Sequence, residues 1–456
     1  MNLNVVILAA GMGKRMNSTI PKVLHKIGNK PMLQHVLESA KQLNPNKIII
    51  VRGHGGKEVQ DIIDDYNPGN NFIWVEQKEQ LGTGHALKQA IKYLDNNGAT
   101  LVLYGDVPLI NSNTLQLMID KYNSNIVMLT MVINNPVGYG RVIRDSNNKI
   151  KTIIEEKDAT LSEKYIKEVN TGFYLLNNQY ISTWVNALSN NNNQKEYYLT
   201  DVIYMAYLDN IKIDCVKLES EYEALGINSK YQLEQLERTY QLQQVEKLLE
   251  LGVTVKDKSR LEIRGEVLAG RDCYIDINCI LEEKVVLGNN VIIGAGAILK
   301  NVTIYDGVNI KPYSIIEDAI IGKDCQVGPY ARIRPGTELE SEVHVGNFVE
   351  VKKSKIAAGS KVNHLTYIGD AQVGSKVNIG AGSVTCNYDG QNKFTTIIKD
   401  NVFVGSGTML VAPVTIGKGS IIGAGSTITK NTPENELTVA RAKQSTIHGW
   451  VNRHKR

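Results

Sequence analysis

The sequence predicts two domains of different class: a mainly parallel α/β sheet, then a helix, then a parallel β-helix built on a six-residue repeat. Three observations carry this. An apolar strand, Val5-Val6-Ile7-Leu8, runs into a glycine-rich loop and is followed by alternating strand and helix patterns. A polar stretch from Ser229 to Leu251 contains neither Gly nor Pro. Aliphatic residues then recur at six-residue spacing from Ile263 to Ile428. The boundaries that follow are 1–228, 229–251 and 252–456.

Composition narrows the function classes. A chain of 456 residues has room for two or three separate cores. A net charge of +4 with 21% charged residues implies no nucleic-acid-binding surface. No apolar run approaches the roughly 18 residues that a membrane span needs. The opening Met1-Asn2-Leu3-Asn4-Val5-Val6-Ile7-Leu8 lacks the basic region of a leader and reads as a buried strand. Five scattered cysteines, none in a CxxC pair, are expected as reduced thiols in a cytoplasmic protein.

In the first domain the strand leads into Ala9-Ala10-Gly11-Met12-Gly13-Lys14-Arg15-Met16, followed by Pro21-Lys22. A strand ending in small residues presents backbone N–H groups to phosphates, and Lys14, Arg15 and Lys22 supply countercharge. Taken alone, the segment reads first as a tight turn with solvated basic residues, being neither a Walker A loop nor a full GxGxxG. Further landmarks follow in order. They are Gln77, then Gln80-Leu81-Gly82-Thr83-Gly84, then Tyr104-Gly105-Asp106, Gly138-Tyr139-Gly140-Arg141, Glu155, Asn170, Tyr197-Tyr198-Leu199-Thr200-Asp201 and Asn228. The ordered set resembles the sugar nucleotidyltransferase family.

The resemblance implies a Rossmann-like domain that attacks the α-phosphorus of a nucleoside triphosphate with a sugar phosphate and expels pyrophosphate. It implies that Leu8, Ala9, Ala10, Gly11, Lys14, Arg15 and Lys22 line the nucleotide and its phosphates. By the same resemblance Gln77, Gly82 and Thr83 read uracil, and Tyr104 and Gly105 stand beside Asp106. Gly140, Glu155 and Asn170 hold the sugar. Asp106, a hard oxygen ligand at a strand end, suits Mg²⁺, and the resemblance adds Asn228 to nucleotide and metal alike. His25, His35, His54 and His85 have no metal-ligand spacing and are expected as structural or surface residues.

In the connector, Leu233, Leu236, Tyr240, Val245, Leu248 and Leu249 lie at near-helical spacing. A rod of roughly 33 Å follows from about 1.5 Å per residue, and the heptads are too few for a coiled coil. Gly252 marks its end.

In the second domain Ile263, Ala269, Ile275, Leu281, Leu287, Ile293 and Leu299 share one phase, which Tyr305 and Lys311 continue weakly. The phase resumes at Ile321, Val327, Ile333, Leu339, Val345, Val351 and Ala357, slips again before Val373 and Ile379, and returns after an insertion at Val404, Leu410, Ile416, Ile422 and Ile428. Inward aliphatics, often followed by a Gly that lets the chain turn, build three short sides and a coil of about 18 residues. The pattern resembles the hexapeptide-repeat acyltransferases, whose coils are left-handed, against the usual crossover rule.

Chemistry belongs where a repeat breaks. The breaks are Ala331 to Gly336, Asn347 to Lys353, Asn363 to Asp370, and an insertion after Cys386 running to Asp400. An imidazole, His364, suits the base for an amine attacking a thioester, although a histidine here is also an ordinary corner residue. Arg334 and Lys352 suit a sugar 1-phosphate.

Taken whole, the chain resembles the bacterial bifunctional enzymes that pair an N-acetylglucosamine-1-phosphate uridyltransferase with a glucosamine-1-phosphate N-acetyltransferase. The resemblance makes His364 the acetyl-transfer base, with Glu350 to orient it. It makes Arg334, Lys352, Tyr367 and Asn378 the glucosamine 1-phosphate site. Acetyl-CoA falls to Ala381, Asn387, Tyr388, Ser406, Ala424 and Arg441. It also implies a homotrimer acting on UTP, sugar 1-phosphates and acetyl-CoA. The competing readings are a monofunctional nucleotidyltransferase with a regulatory coil, and a non-catalytic scaffold of similar architecture. The first leaves His364, Asn387 and Tyr388 without a role, and the second expects eroded phosphate and metal positions.

Overall fold

The computed structural model describes residues 1–53, 56–123 and 125–453. His54, one of the four histidines weighed above, and the end of the basic tail (454–456) lie outside the described residues. The chain divides into two compact units, Met1–Tyr240 and Gln241–Arg456.

The first unit is built on one sheet. In order across it stand the strands Ile213–Lys217, Ile126–Val132, Glu168–Asn177, Ala99–Tyr104, Leu3–Ala9, Lys47–Arg52 and Ile73–Glu76. Leu3–Ala9 is parallel to both its neighbours. Glu168–Asn177 runs antiparallel between Ala99–Tyr104 and Ile126–Val132. All seven residues of Leu3–Ala9 are buried. Alternate side chains feed two cores, Val5 and Ile7 one and Val6 and Leu8 the other. A strand covered on both faces reads as an unbroken apolar run, which is how it shows in the sequence. The chain leaves this central strand first toward Lys47–Arg52 and returns on its other side at Ala99–Tyr104. Such a reversal opens a crevice at the strands' carboxyl ends, where the glycine-rich loop and Asp106 follow.

The helix Lys230–Glu250 carries the connector. Within the first unit Leu236 is buried with Met16, Ile27 and Met32, and Glu237 accepts the Gly28 N–H at 2.9 Å. Within the second, Val245 and Leu248 join the core. There Gln241 exchanges two hydrogen bonds with the Ile263 backbone, at 2.7 and 2.9 Å.

The second unit is a parallel β-helix. One ladder climbs without a break from Thr254–Val255 to Leu437–Thr438. The other two sides begin as continuous strands such as Cys279–Leu287, then part at Arg332–Ile333 and Thr337–Leu339. Successive coils are 17 or 18 residues apart, as the contacts of Asn347 with His364 and of Asn289 with Arg271 show. One coil is lengthened, so that Ser375 meets Asp400 at a separation of 25 residues. The extra length is a short loop at 387–395, because Thr396–Ile398 rejoins the ladder. The expected excursion to Asp400 is therefore narrower than the sequence suggests.

The repeat's inward set is the one expected, with corrections. Ile275, Leu281, Ile293, Leu299, Val327, Val345 and Ile422 are all buried in one core. Each such side chain contributes about 1.5–3 kcal/mol on burial. Tyr305, however, is exposed, and Ile304 and Ile310 are the residues turned inward. Between the strands Cys279–Leu287 and Ile298–Ile304 the register shifts, so the next inward position arrives one residue early. A second early arrival puts Ile356 rather than Ala357 in the core. The glycines also serve differently from the turn role read above. At Gly346 a Cβ would lie 2.0 Å from the Asn363 carbonyl oxygen, and at Gly380 2.5 Å from the Ser406 nitrogen. Close stacking of coils, rather than a turn, demands glycine there.

Candidate active sites

In the first unit the loop after Leu3–Ala9 lines a cavity of about 390 Å³ together with Lys22, Gly53 and Gln80. Ala9, Ala10, Gly11 and Lys14 all face it. Leu8 lies buried beneath, and Arg15 stands exposed on the short turn Lys14–Met16. Lys22 is buried, and its ammonium bonds both the Asp106 carboxylate and, at 2.6 Å, the Asn228 side-chain oxygen. Asp106 and Asn228 meet because the Ile227 N–H donates to the Asp106 carbonyl at 2.9 Å, while Gln232 accepts the Asn228 N–H at 2.7 Å. Two hard oxygens thus converge on one positive charge. That donor chemistry fits a hard divalent cation.

Beside the cavity lies a second cluster. Gln77 is buried and donates to the Gly82 carbonyl at 3.2 Å, with His85 Nδ1 at 3.0 Å. Gly82 has φ of 106°, and a Cβ there would meet the Tyr197 carbonyl oxygen at 2.7 Å. Tyr197 clamps this loop from both sides, donating to Leu81 and accepting from Gly84, each at 2.8 Å. Thr83 accepts the Leu199 N–H at 3.1 Å and hydrogen-bonds the Tyr104 hydroxyl, which burial pushes up in pKa. Gly105 donates to the Leu8 carbonyl at 3.0 Å.

The expected sugar residues form a third group. Asn170 is buried and its N–H donates to the Gly140 carbonyl at 2.8 Å, while a Cβ on Gly140 would sit 3.4 Å from Glu155 Oε1. Burial raises the Glu155 carboxyl, against the Thr200 hydroxyl that donates to it at 3.2 Å.

Asp201 lies near this group, and burial together with Asp158 pushes its carboxyl up from 3.8 to about 6. A raised acid costs nothing while protonated in both folded and unfolded chains; its penalty develops as pH rises from 3.8 and is complete above about 6. Asp201→Asn should therefore stabilise the first unit at pH 7.5 by about 1–2 kcal/mol, a figure discounted for partial exposure, and by nothing at pH 3.5. Urea unfolding at the two pH values measures it; equal gains at both would show that the carboxyl is not the cause.

The other histidines are engaged structurally. His25 meets the Lys230 ammonium at 3.1 Å, and burial and that charge lower its pKa. His35 Nε2 meets the Ile27 carbonyl at 2.9 Å.

In the second unit the predicted residues fall into two columns that climb the coils. His364 heads one. Its carbonyl accepts the Gly382 N–H at 3.3 Å, Ala381 accepts from Gly407 and Ser406 from Gly425, each at 2.8 Å. Arg441 closes the column with a 2.5 Å bond to the Ala424 carbonyl. The other column holds Arg334, Lys352 and Tyr367, whose strands pair as Arg332–Glu350–Tyr367. Asn378 pairs with Lys361, one coil beyond the strand that ends at His364. Asn387 donates to Asp370 at 2.5 Å, and Tyr388 is exposed with its hydroxyl on the Gly390 carbonyl. Among the described residues no hydrogen bond or ion pair joins His364 to Arg334, Lys352 or Tyr367.

One expectation fails here. Glu350 does not orient His364; its carboxylate takes Arg334 Nη1 at 2.6 Å, and the partner of His364 Nδ1 is Asn347, at 3.0 Å. Sequence reasoning also passed over Lys393. It sits in the 387–395 loop against Lys352, whose ammonium pushes the Lys393 amine down. Two cations held together on an exposed surface form an anion-binding field. The basic composition of the insertion was the available signal.

Among the described residues no helix is long and apolar enough to cross a membrane. All five cysteines are free thiols.

Comparison with known proteins agrees with this division. Residues 5–159 match the model of the MobA-like NTP transferase domain. Residues 263–347 match the GMPPB C-terminal domain, and residues 395–430 the bacterial transferase hexapeptide model with six repeats. The chain is 54% identical over 452 residues to the Bifunctional protein GlmU of Nitrosomonas eutropha, covering 99% of this chain and 98% of that one. It is 53% identical over 455 residues to the protein of the same name from Chromobacterium violaceum, covering 100% and 99%. At this identity and with near-complete coverage of both chains, the chain belongs to the family of bifunctional GlmU proteins.

Proposed function

We propose that the chain catalyses two consecutive steps toward UDP-N-acetylglucosamine. The β-helix acetylates glucosamine 1-phosphate from acetyl-CoA. The α/β unit then joins the product to UTP and releases pyrophosphate. The observation that carries the second reaction is the convergence of Asp106 and Asn228 on the Lys22 ammonium beside the glycine-rich cavity.

Asp106 and Asn228 would hold Mg²⁺, which supplies Lewis-acid neutralisation of the crowded phosphate oxygens when bound. The chain's own part is positioning and countercharge. Lys22 carries positive charge into the cavity, and the N–H groups after Ala9 face the phosphates. Gln77, Gly82 and Thr83 are held to read uracil by the Tyr197 clamp. Gly140, Glu155 and Asn170 gather to seat the sugar.

In the β-helix, Arg334, Lys352 and Lys393 supply the field for the sugar phosphate, with Tyr367 and Asn378 beside it. His364 takes the proton of the attacking amine. Ala381, Ser406, Ala424 and Arg441 line the column along which acetyl-CoA would lie, with Asn387 and Tyr388 on the loop. We propose that this site is completed in a homotrimer. Tyr313, Tyr330 and Phe348 stack as an exposed ladder, centroids 5.2 and 5.5 Å apart, and Leu365, next to His364, is exposed at the following corner. An apolar strip of that kind favours burial against another copy, and closure around a threefold axis would bring a neighbour beside His364.

An omission assay tests the whole. With glucosamine 1-phosphate, acetyl-CoA, UTP and Mg²⁺ present, UDP-N-acetylglucosamine should accumulate. Without UTP the acetylated sugar phosphate should accumulate instead, and without acetyl-CoA no thiol should be released. A chain that turns over UTP with N-acetylglucosamine 1-phosphate but never releases thiol would support the monofunctional reading.

A further inference from the structure

We infer that Asn347 is the positioning residue of the acetyl-transfer site: its side-chain oxygen accepts a hydrogen bond from Nδ1–H of His364 and leaves Nε2 as the basic nitrogen. The inference rests on the reading of His364 as the base. The two side chains are 3.0 Å apart, oxygen to Nδ1. A neutral imidazole carries one N–H, and a carbonyl oxygen accepts only from a protonated nitrogen, so this contact selects the Nδ1–H form.

The backbone holds the pair in place at several points. Asn347 ends the strand His344–Asn347, and His364 ends Lys361–His364 directly above it in parallel register. Such register requires close coils, and Gly346 permits this, since a Cβ there would collide with the Asn363 carbonyl. Leu365 turns at φ of 48° and donates its N–H to the Asn347 carbonyl at 3.2 Å. The Thr366 hydroxyl donates to the His364 carbonyl at 2.6 Å. Both members of the pair are therefore tied by main chain as well as by the side-chain bond.

An amide also differs from a carboxylate in this position. It orients the ring without placing a negative charge beside it. The nearby carboxylate of Glu350 is turned to Arg334. In the transfer, the amine nitrogen bonds the acetyl carbon, the C–S bond breaks, and the amine proton passes to Nε2 and then to the leaving sulfur. The other ring proton stays on Nδ1, hydrogen-bonded to Asn347, throughout.

The test uses the full chain and four variants, three at Asn347 and one at His364. Asn347→Leu, which is similar in size but accepts no hydrogen bond, should lower kcat for acetyl transfer about 10- to 100-fold. KM for glucosamine 1-phosphate should stay within about twofold. Asn347→Asp, which still accepts from Nδ1, should recover most of the rate, and Asn347→Ala should behave as the leucine variant. An unchanged KM for glucosamine 1-phosphate, read in the same unit, together with an unchanged far-ultraviolet circular dichroism spectrum, reports that the β-helix of each variant is folded. Solid-state ¹⁵N spectra of histidine-labelled protein, with His364 assigned by difference from His364→Gln, should show Nδ1 protonated and Nε2 bare at pH 9. In Asn347→Leu that signal should become a mixture of both forms. An unchanged kcat in Asn347→Leu, or a parent protein with Nε2 protonated, overturns the inference. If His364→Gln itself keeps the parent rate, what falls is the assignment of the base.

Discussion

Replacing His364 with alanine is expected to lower the rate of acetyl transfer by about 10²- to 10⁴-fold and to leave uridyl transfer at the parent rate. The range is that of a positioned general base, since the amine must lose a proton as the acetyl–sulfur bond breaks. The selectivity follows from placement. His364 lies in the β-helix at the end of Lys361–His364, while every proposed uridyl-site residue lies within Met1–Tyr240. His364 is exposed and bonds Asn347 rather than any core group, so its removal should leave the coil intact. Thiol release from acetyl-CoA and pyrophosphate release from UTP, measured on one preparation, decide the matter. Loss of both activities would mean that the two sites are not independent.

Asp106→Ala is expected to do the reverse, lowering uridyl transfer by about a thousandfold with acetyl transfer unchanged. The carboxylate stands at the end of Ala99–Tyr104 beside Lys22 and Asn228. Without it the buried Lys22 ammonium loses its countercharge, and the hard-oxygen pair proposed for Mg²⁺ loses its charged member. Mn²⁺ titrated into the full chain and followed by electron spin resonance should bind the parent and not the variant. A variant that keeps the parent uridyl rate would remove Asp106 from the site.

The sheet of the first unit and the repeat of the second were legible because both are periodic. Val5 to Leu8 is apolar at every position, the mark of a strand buried on both faces. The six-residue spacing picked out Ile275, Leu281 and Ile293 correctly for the same reason. It failed at Tyr305 and Ala357. Each follows an isoleucine, Ile304 or Ile356, that suits the core at least as well, and one shortened coil is enough to exchange them. Periodicity states which residue types can turn inward; the accumulated register states which do.

The sequence by itself determined the two fold classes, the family and the kinds of side chain available at each break in the repeat. Those are properties of order and type along one chain. Tertiary structure decided the pairings: Glu350 with Arg334, Asn347 with His364, Lys393 against Lys352, and Lys22 between Asp106 and Asn228. A hydrogen bond is formed or lost within a few tenths of an ångström. Coil stacking and backbone pairing set distances at that scale, and neither is written in the spacing of residues along the chain.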